Sequence, residues 1–213
     1  MTPPSVSRRR AYWLKTLHQW HWMSAALSLA GLIVFAATGI TLNNAAWIEA
    51  RPATTRMNAV MPEPMLNLLA ETAGALSNTR NKGPLPARAE HWLDQQFHIQ
   101  IAGRSAEFSA DEVYVSLPEP GGDAWLAVDL ISGDVEFERT VRGWIAYFND
   151  LHKGRHTGTA WSWFIDVFAI ACLIFAITGL FLLKLHAKNR PASWPMVGLG
   201  VAAPLILMLL FIH

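Results

Sequence analysis

Three long apolar runs and one patterned polar stretch divide the 213-residue chain. Met23–Leu42 has 20 residues without a charge, Trp161–Leu183 has 23 with Asp166 as the only one, and Trp194–Ile212 has 19 with none. A helix rises ~1.5 Å per residue, so about 20 residues cross a hydrocarbon core of ~30 Å. Each run is apolar on every face, which favours lipid-spanning helices over helices buried in a soluble core. Between the first two runs the period changes. Pro62–Ser77 and Pro86–Phe97 carry apolar residues at helical spacing (Leu66, Leu69, Ala73, Leu76; Ala89, Trp92, Leu93, Phe97). Glu112–Leu117, Ala124–Leu130 and Val135–Thr140 alternate as strands, and Ile99–Phe108 adds another. The expected fold class is therefore membrane α-helical: three transmembrane helices with a small α+β domain between helices 1 and 2. Residues 1–44 hold the N-terminus and helix 1, residues 45–150 the domain, and residues 151–213 helices 2 and 3.

Composition sharpens this picture once charge is placed by segment. The formal net charge is only +1, yet Arg8, Arg9, Arg10 and Lys15 precede the first run with no acid among them. Lys184, Lys188 and Arg190 lie between the second and third runs, again without an acid. The stretch from Asn43 to Ala160 has 15 acidic and 10 basic residues. Short basic segments stay on the cytoplasmic side. The N-terminus is thus expected in the cytoplasm, with the domain and the C-terminus outside. The expected setting is a bacterial inner membrane, with the domain and C-terminus periplasmic. Eight of the ten tryptophans border the runs, as interfacial indoles do. The first run is longer than the ~7–15 apolar residues of a signal peptide and reads as a retained span. A disordered chain, a nucleic-acid binder with a basic face and a disulfide scaffold are excluded; Cys172 is the sole cysteine.

The chemistry lies in the histidines. His91 and His98 fall in the domain and read as surface or packing residues. The other six border the spans in two layers: His18, His21 and His186 at the inner rim, and His152, His156 and His213 at the outer rim. Imidazoles from facing helices are good axial ligands to haem iron. Small residues along both helices (Ala25, Ala26, Gly31, Ala36, Ala37, Gly39; Ala169, Ala171, Ala176, Gly179) leave room for a flat ring. Propionates would meet Arg142, Lys153 and Arg155 outside, or Arg10, Lys15 and Lys184 inside. Interfacial anchoring and plain helix packing are the structural alternative for the same residues. Zinc fits less well, because cysteine ligands are lacking.

Three further features stand out. Asp166 is the one ionisable residue inside a span, expected to pair with an outer-rim histidine such as His156 or to make an inter-helix hydrogen bond. Cys172 sits among Ile and Leu as an apolar filler. Finally, Val34–Leu42 (VFAATGITL) is echoed by Ile174–Leu182 (IFAITGLFL). Successive spans run in opposite directions, so the echo suggests an inverted pseudo-symmetry.

The segments LKTLHQWHWMSAALSLAG, TGITLN, NDLHKGRHTGTAWSWFIDVFAIACLIFAITGL and FIH resemble the PepSY-associated transmembrane helix family in its short three-span form. AVDLISGDVEFERTVRG is similar to the strand pair of a PepSY domain, whose turn follows D-x-x-[ST]-G-[DE]-V. Larger relatives include inner-membrane ferric-siderophore reductases that hold b-type haems between helices. The resemblance implies ligand roles for His21 or His18, for His152, and for His186 and His213. The chain departs from that pattern in having three spans rather than four or more. It also has Asn44 where relatives often carry His, and His156 where they carry Asn.

The expected function is an inner-membrane b-type haem protein, holding one or two haem b groups. It would pass electrons to a periplasmic acceptor such as siderophore-bound Fe(III), as a ferric reductase or electron-transfer subunit. A homodimer or another membrane subunit would complete the bundle. The donor would be a quinol or a separate reductase, since no GxGxxG fingerprint is present. The alternatives are a membrane-tethered PepSY module that binds or inhibits a partner, and a structural subunit of a transporter, both without haem.

Overall fold

A computed structural model of the chain describes residues 6–49, 51–76, 81–187 and 190–212. It divides into two compact units, Met1–Phe35 with Trp163–His213, and Ala36–Ser162. Three helices are long and apolar enough to cross a membrane: α1 (Val6–Asn43), α5 (Gly158–His186) and α6 (Ser193–Phe211). The first begins well before its apolar run, so the basic Arg8–Lys15 segment is helical too.

In the helical unit, α1 and α5 meet along a narrow seam of small and polar residues. Ser24 and Ser28 of α1 are buried, as are Ala171 and Thr178 of α5. The serine hydroxyls donate to Trp20 O and Ser24 O one turn back, at 2.7 Å each, which satisfies them without a partner helix. Lipid supplies no hydrophobic drive for helix association, so such seams work by close approach. Gly31 shows how close: a Cβ there would stand 2.3 Å from Cε2 of Phe168. Phe168 is in turn stacked between Phe35 and Phe164, with ring centres 5.0 and 6.1 Å away. Gly31→Ala is expected to push this aromatic stack apart and destabilise the unit by about 2 kcal/mol, within the usual range for overpacking. Denaturant unfolding in detergent micelles measures it. The third span, α6, buries none of its residues.

The second unit is built on a six-stranded antiparallel sheet in the order β1-β6-β5-β4-β3-β2. The strands are β1 (Ala53–Val60), β2 (Lys82–Pro84), β3 (Ser105–Phe108), β4 (Glu112–Ser116), β5 (Gly122–Asp129) and β6 (Asp134–Val141). Alternation sends Val113, Val115, Leu126, Val128, Val135 and Phe137 to one face. There they meet Leu69 and Ala73 of α2 (Glu63–Leu76) and Ala89, Leu93 and Phe97 of α3 (Ala87–Phe97). The opposite face is open and charged, with Arg56 on Glu138 and Lys82 on Glu107 across neighbouring strands. A last helix, α4 (Trp144–Lys153), follows the sheet and leads to α5.

The two helices expected between the first two spans and three of the expected strands are present, with ends shifted by a residue or two. Ile99–Phe108 is strand only over its last four residues. Ser77, which ends the first expected helix, lies outside the described residues. Two strands and α4 were not expected.

The β5–β6 turn gives the DLISGDV motif a physical reading. Asp129 Oδ1 accepts from the backbone N–H groups of Ile131 and Ser132, each at 2.8 Å. Gly133 takes the left-handed conformation, φ +79°, that closes the turn. The N–H bonds from Ser132 and Ile131 hold the Asp129 carboxyl below its ordinary value. A lowered folded-state value stabilises above the unfolded pKa of ~3.9 and is lost as pH falls through the folded value. The stability gap between wild type and Asp129→Ala should therefore be full at neutral pH and close below about pH 4. Chemical denaturation across that range tests it.

Candidate functional site

The five described histidines of the two expected layers occupy three different settings. His18 is in the first half of α1 and His186 ends α5, and their rings meet edge-on, with centres 6.1 Å apart and planes at 87°. Each Nδ1 lies 2.8 Å from the carbonyl oxygen one turn back, Leu14 O for His18 and Leu182 O for His186. A carbonyl only accepts, so both Nδ1 atoms carry a proton, and in the neutral form of either ring the lone pair is on Nε2. That is the tautomer a metal needs, fixed by backbone acceptors as outer-shell partners usually fix it.

His21, one turn further along α1, has a different partner. Its Nδ1 is 3.0 Å from Thr178 Oγ1 and 3.2 Å from Phe175 O. The Thr178 hydroxyl donates to Ile174 O at 2.6 Å, so its oxygen is left to accept from the ring. The imidazole stacks on Phe175, centres 4.8 Å apart, and crosses Gly179, where a Cβ would come within 3.2 Å of it. His21 is therefore a half-buried ring packed into the helix seam, while His18 lies at the rim.

In the other unit His152, on α4, repeats this arrangement. Its Nδ1 is 2.7 Å from Thr38 Oγ1 of α1, and a Cβ on Gly39 would lie 3.5 Å from its ring. The sequence echo thus has a structural meaning. Each Thr-Gly pair, Thr38-Gly39 and Thr178-Gly179, carries a histidine from a different helix: the threonine bonds the ring and the glycine makes room for it.

His156 is exposed, in the left-handed region at φ 59°, and accepts from Arg155 Nε at 3.0 Å through Nε2. That bond occupies the nitrogen a metal would use. His213 lies outside the described residues. His91 and His98 are exposed on α3 and at its C-terminal cap. Asp166 is exposed on α5, and the expected bond to a histidine is not formed among the described residues. Cys172 is half-buried.

A sequence reading that placed His18 and His21 on one helical face did not separate them. The separating signal is the Thr-Gly echo, because a histidine docked on Thr178-Gly179 is committed to packing.

The fit to a metal follows from the donor set. No group of three or more His, Cys, Asp or Glu side chains among the described residues comes together to hold an ion. A bare transition ion wants about four ligands, whereas a macrocycle brings four of its own and asks the protein for two. The ring centres of His18 and His186 are 6.1 Å apart, so a group asking for two imidazoles would find both at this one place.

Spans, sheet domain and paired histidines together describe a membrane-associated helical protein with an inserted antiparallel domain. The chain belongs to the putative PepSY_TM-like family, whose model matches residues 12–213. No curated protein and no solved structure matches the chain.

Proposed function

We propose that the protein is a b-type cytochrome of the bacterial inner membrane, and that His18 and His186 are the axial ligands of one haem b per chain. The observation that carries this reading is the neighbouring pair of imidazoles, ring centres 6.1 Å apart, each with its Nδ1 taken by a backbone carbonyl so that Nε2 is the nitrogen left for a metal. The bound haem would supply one-electron Fe(III)/Fe(II) chemistry. The chain's own part is positioning. Leu14 O and Leu182 O hold the two rings in the ligating tautomer, and the His21–Thr178 contact fixes the stagger of α1 on α5. Lys15 and Lys184 lie three and two residues from the ligands, placed to meet carboxylates at the rim.

The acid-free basic segments support a cytoplasmic side for this pair and a periplasmic one for the sheet domain. Electrons would enter from a quinol or a separate reductase and leave toward an external acceptor such as chelated Fe(III). At the outer rim His152 is committed to Thr38 and His156 to Arg155. An outer centre would therefore draw on His213, a second copy or another membrane subunit.

The test is the reduced-minus-oxidised spectrum of full-length protein made with ample haem. A low-spin bis-imidazole signature at one haem per chain supports the reading, and the absence of a Soret band overturns it. A haem-free protein would leave the domain's open sheet face, where Tyr114 and Trp125 stack with centres 6.2 Å apart, as the basis for a tethered binding module.

A further inference from the structure

Helix α4 presents three different faces, and only two of them are explained by contacts within its unit. One faces the sheet: Asp150 accepts from Gly121 N at 2.9 Å and from Arg142 at 3.2 Å, and Tyr147 covers Gly121. A second faces the end of α1, where Asn149 Oδ1 accepts from Thr41 at 2.8 Å and His152 meets Thr38. The third consists of Trp144, Ile145 and Phe148, which are 76, 44 and 44% exposed. Trp47, just beyond the end of α1, is exposed in the same unit.

We propose that this third face lies in the outer lipid interface, making α4 an interfacial helix that seats the sheet domain on the bilayer. This reading does not depend on haem. Depth is the first argument. Thr38 is five residues before Asn43, the last residue of α1, or ~8 Å along a helix. A helix whose side chain bonds Thr38 is held level with the outer turns of a span. That is the layer in which amphipathic helices bury their apolar face by ~5–10 Å. Continuity is the second. Helix α5 starts at Gly158, five residues after α4 ends, and Trp161 Nε1 donates back to Leu151 O at 2.9 Å. Charge is the third. Lys153 and Arg155 at the C-terminal end are exposed, while the one acid of α4, Asp150, is buried against Arg142. The exposed chemistry is thus apolar with a basic end, which suits anionic phospholipid headgroups over a hydrocarbon layer.

The experiment uses the full chain with Cys172→Ala, which removes the sole native thiol. A single cysteine is then placed at Phe148 (F148C), at Trp144 (W144C), or at Ile131 in the β5–β6 turn (I131C). Each is labelled with an environment-sensitive fluorophore and reconstituted in vesicles of phosphatidylethanolamine and phosphatidylglycerol. Lipids spin-labelled high on the acyl chain should quench the probes at 148 and 144 about twofold or more. Lipids labelled at the chain end should quench them less, and the probe at Ile131, itself 83% exposed, should be unaffected. Equal quenching at 148 and 131 overturns the proposal. So does a disulfide between two F148C chains with no lipid quenching, which would assign the face to a second copy. The probe at 144 decides the matter if F148C alone fails to fold.

Discussion

Replacing either His18 or His186 with alanine should abolish the low-spin haem spectrum, whereas His156→Ala should leave it unchanged. Mutating a mere outer-shell partner of a metal ligand typically costs ~10–100-fold in affinity, so removing a ligand should cost at least as much. Both rings are exposed, which makes structural collapse an unsuitable explanation for the loss. His18→Gly should recover the spectrum when free imidazole is added, because the missing ligand is then supplied from solution. His21→Ala separates the two candidate histidines of α1. It should loosen the helix pair, since its ring bridges Thr178 and Phe175, yet leave the bis-imidazole signature in the protein that folds. Loss of the signature in His21→Ala with retention in His18→Ala would move the ligand role to His21. Absorbance and electron paramagnetic resonance of the purified variants distinguish these outcomes.

The second large effect concerns the sheet domain. Asp150→Ala should destabilise it by about 3 kcal/mol. The carboxylate is only 7% exposed and satisfies both the Gly121 amide and the Arg142 guanidinium. Truncation leaves a buried N–H without its acceptor and strips Arg142, 41% exposed, of its partner. The figure lies at the low end for a broken buried pair because that guanidinium still reaches water. Gly121→Ala should be as damaging by a separate route. Its φ is +70°, and a Cβ would meet the Tyr147 backbone at 2.6 Å. Both changes release α4 from the sheet, so hydrogen exchange should rise first in α4 and in the 119–122 loop. Exchange rising instead throughout the α2–α3 core would show that α4 is not the element held by Asp150.

Much of this fold is legible in the sequence wherever burial is one-sided or complete. The spans are visible because each is apolar on every face, and α2, α3, β4, β5 and β6 because each has one core face. The unexpected elements fail that condition. In β1 only Met57 and Ala59 are even half-buried, so an edge strand of eight residues shows no clean alternation. In β2 the sequence Lys-Gly-Pro reads as a turn. Helix α4 hides because its buried positions are polar (Asn149, Asp150) and its large apolar residues Trp144, Ile145 and Phe148 are exposed, the reverse of a soluble helix.

Which histidines come together is not legible in the sequence. Residues 18 and 21 are equivalent by helical spacing. Which one meets residue 186 depends on the stagger between two helices joined by more than a hundred residues. Stagger is fixed by contacts such as Gly31 on Phe168 and Gly179 on His21, which one-dimensional spacing does not contain.

The repeated His-on-Thr-Gly contact has a mechanical consequence for α1. The helix makes one such contact in its middle, through His21, and one near its C-terminal end, through Thr38, 17 residues or ~25 Å along it. Both fastenings are directional hydrogen bonds seated over a glycine, so they resist twist as well as sliding. Turning α1 about its own axis is therefore opposed at each contact by the bond made there.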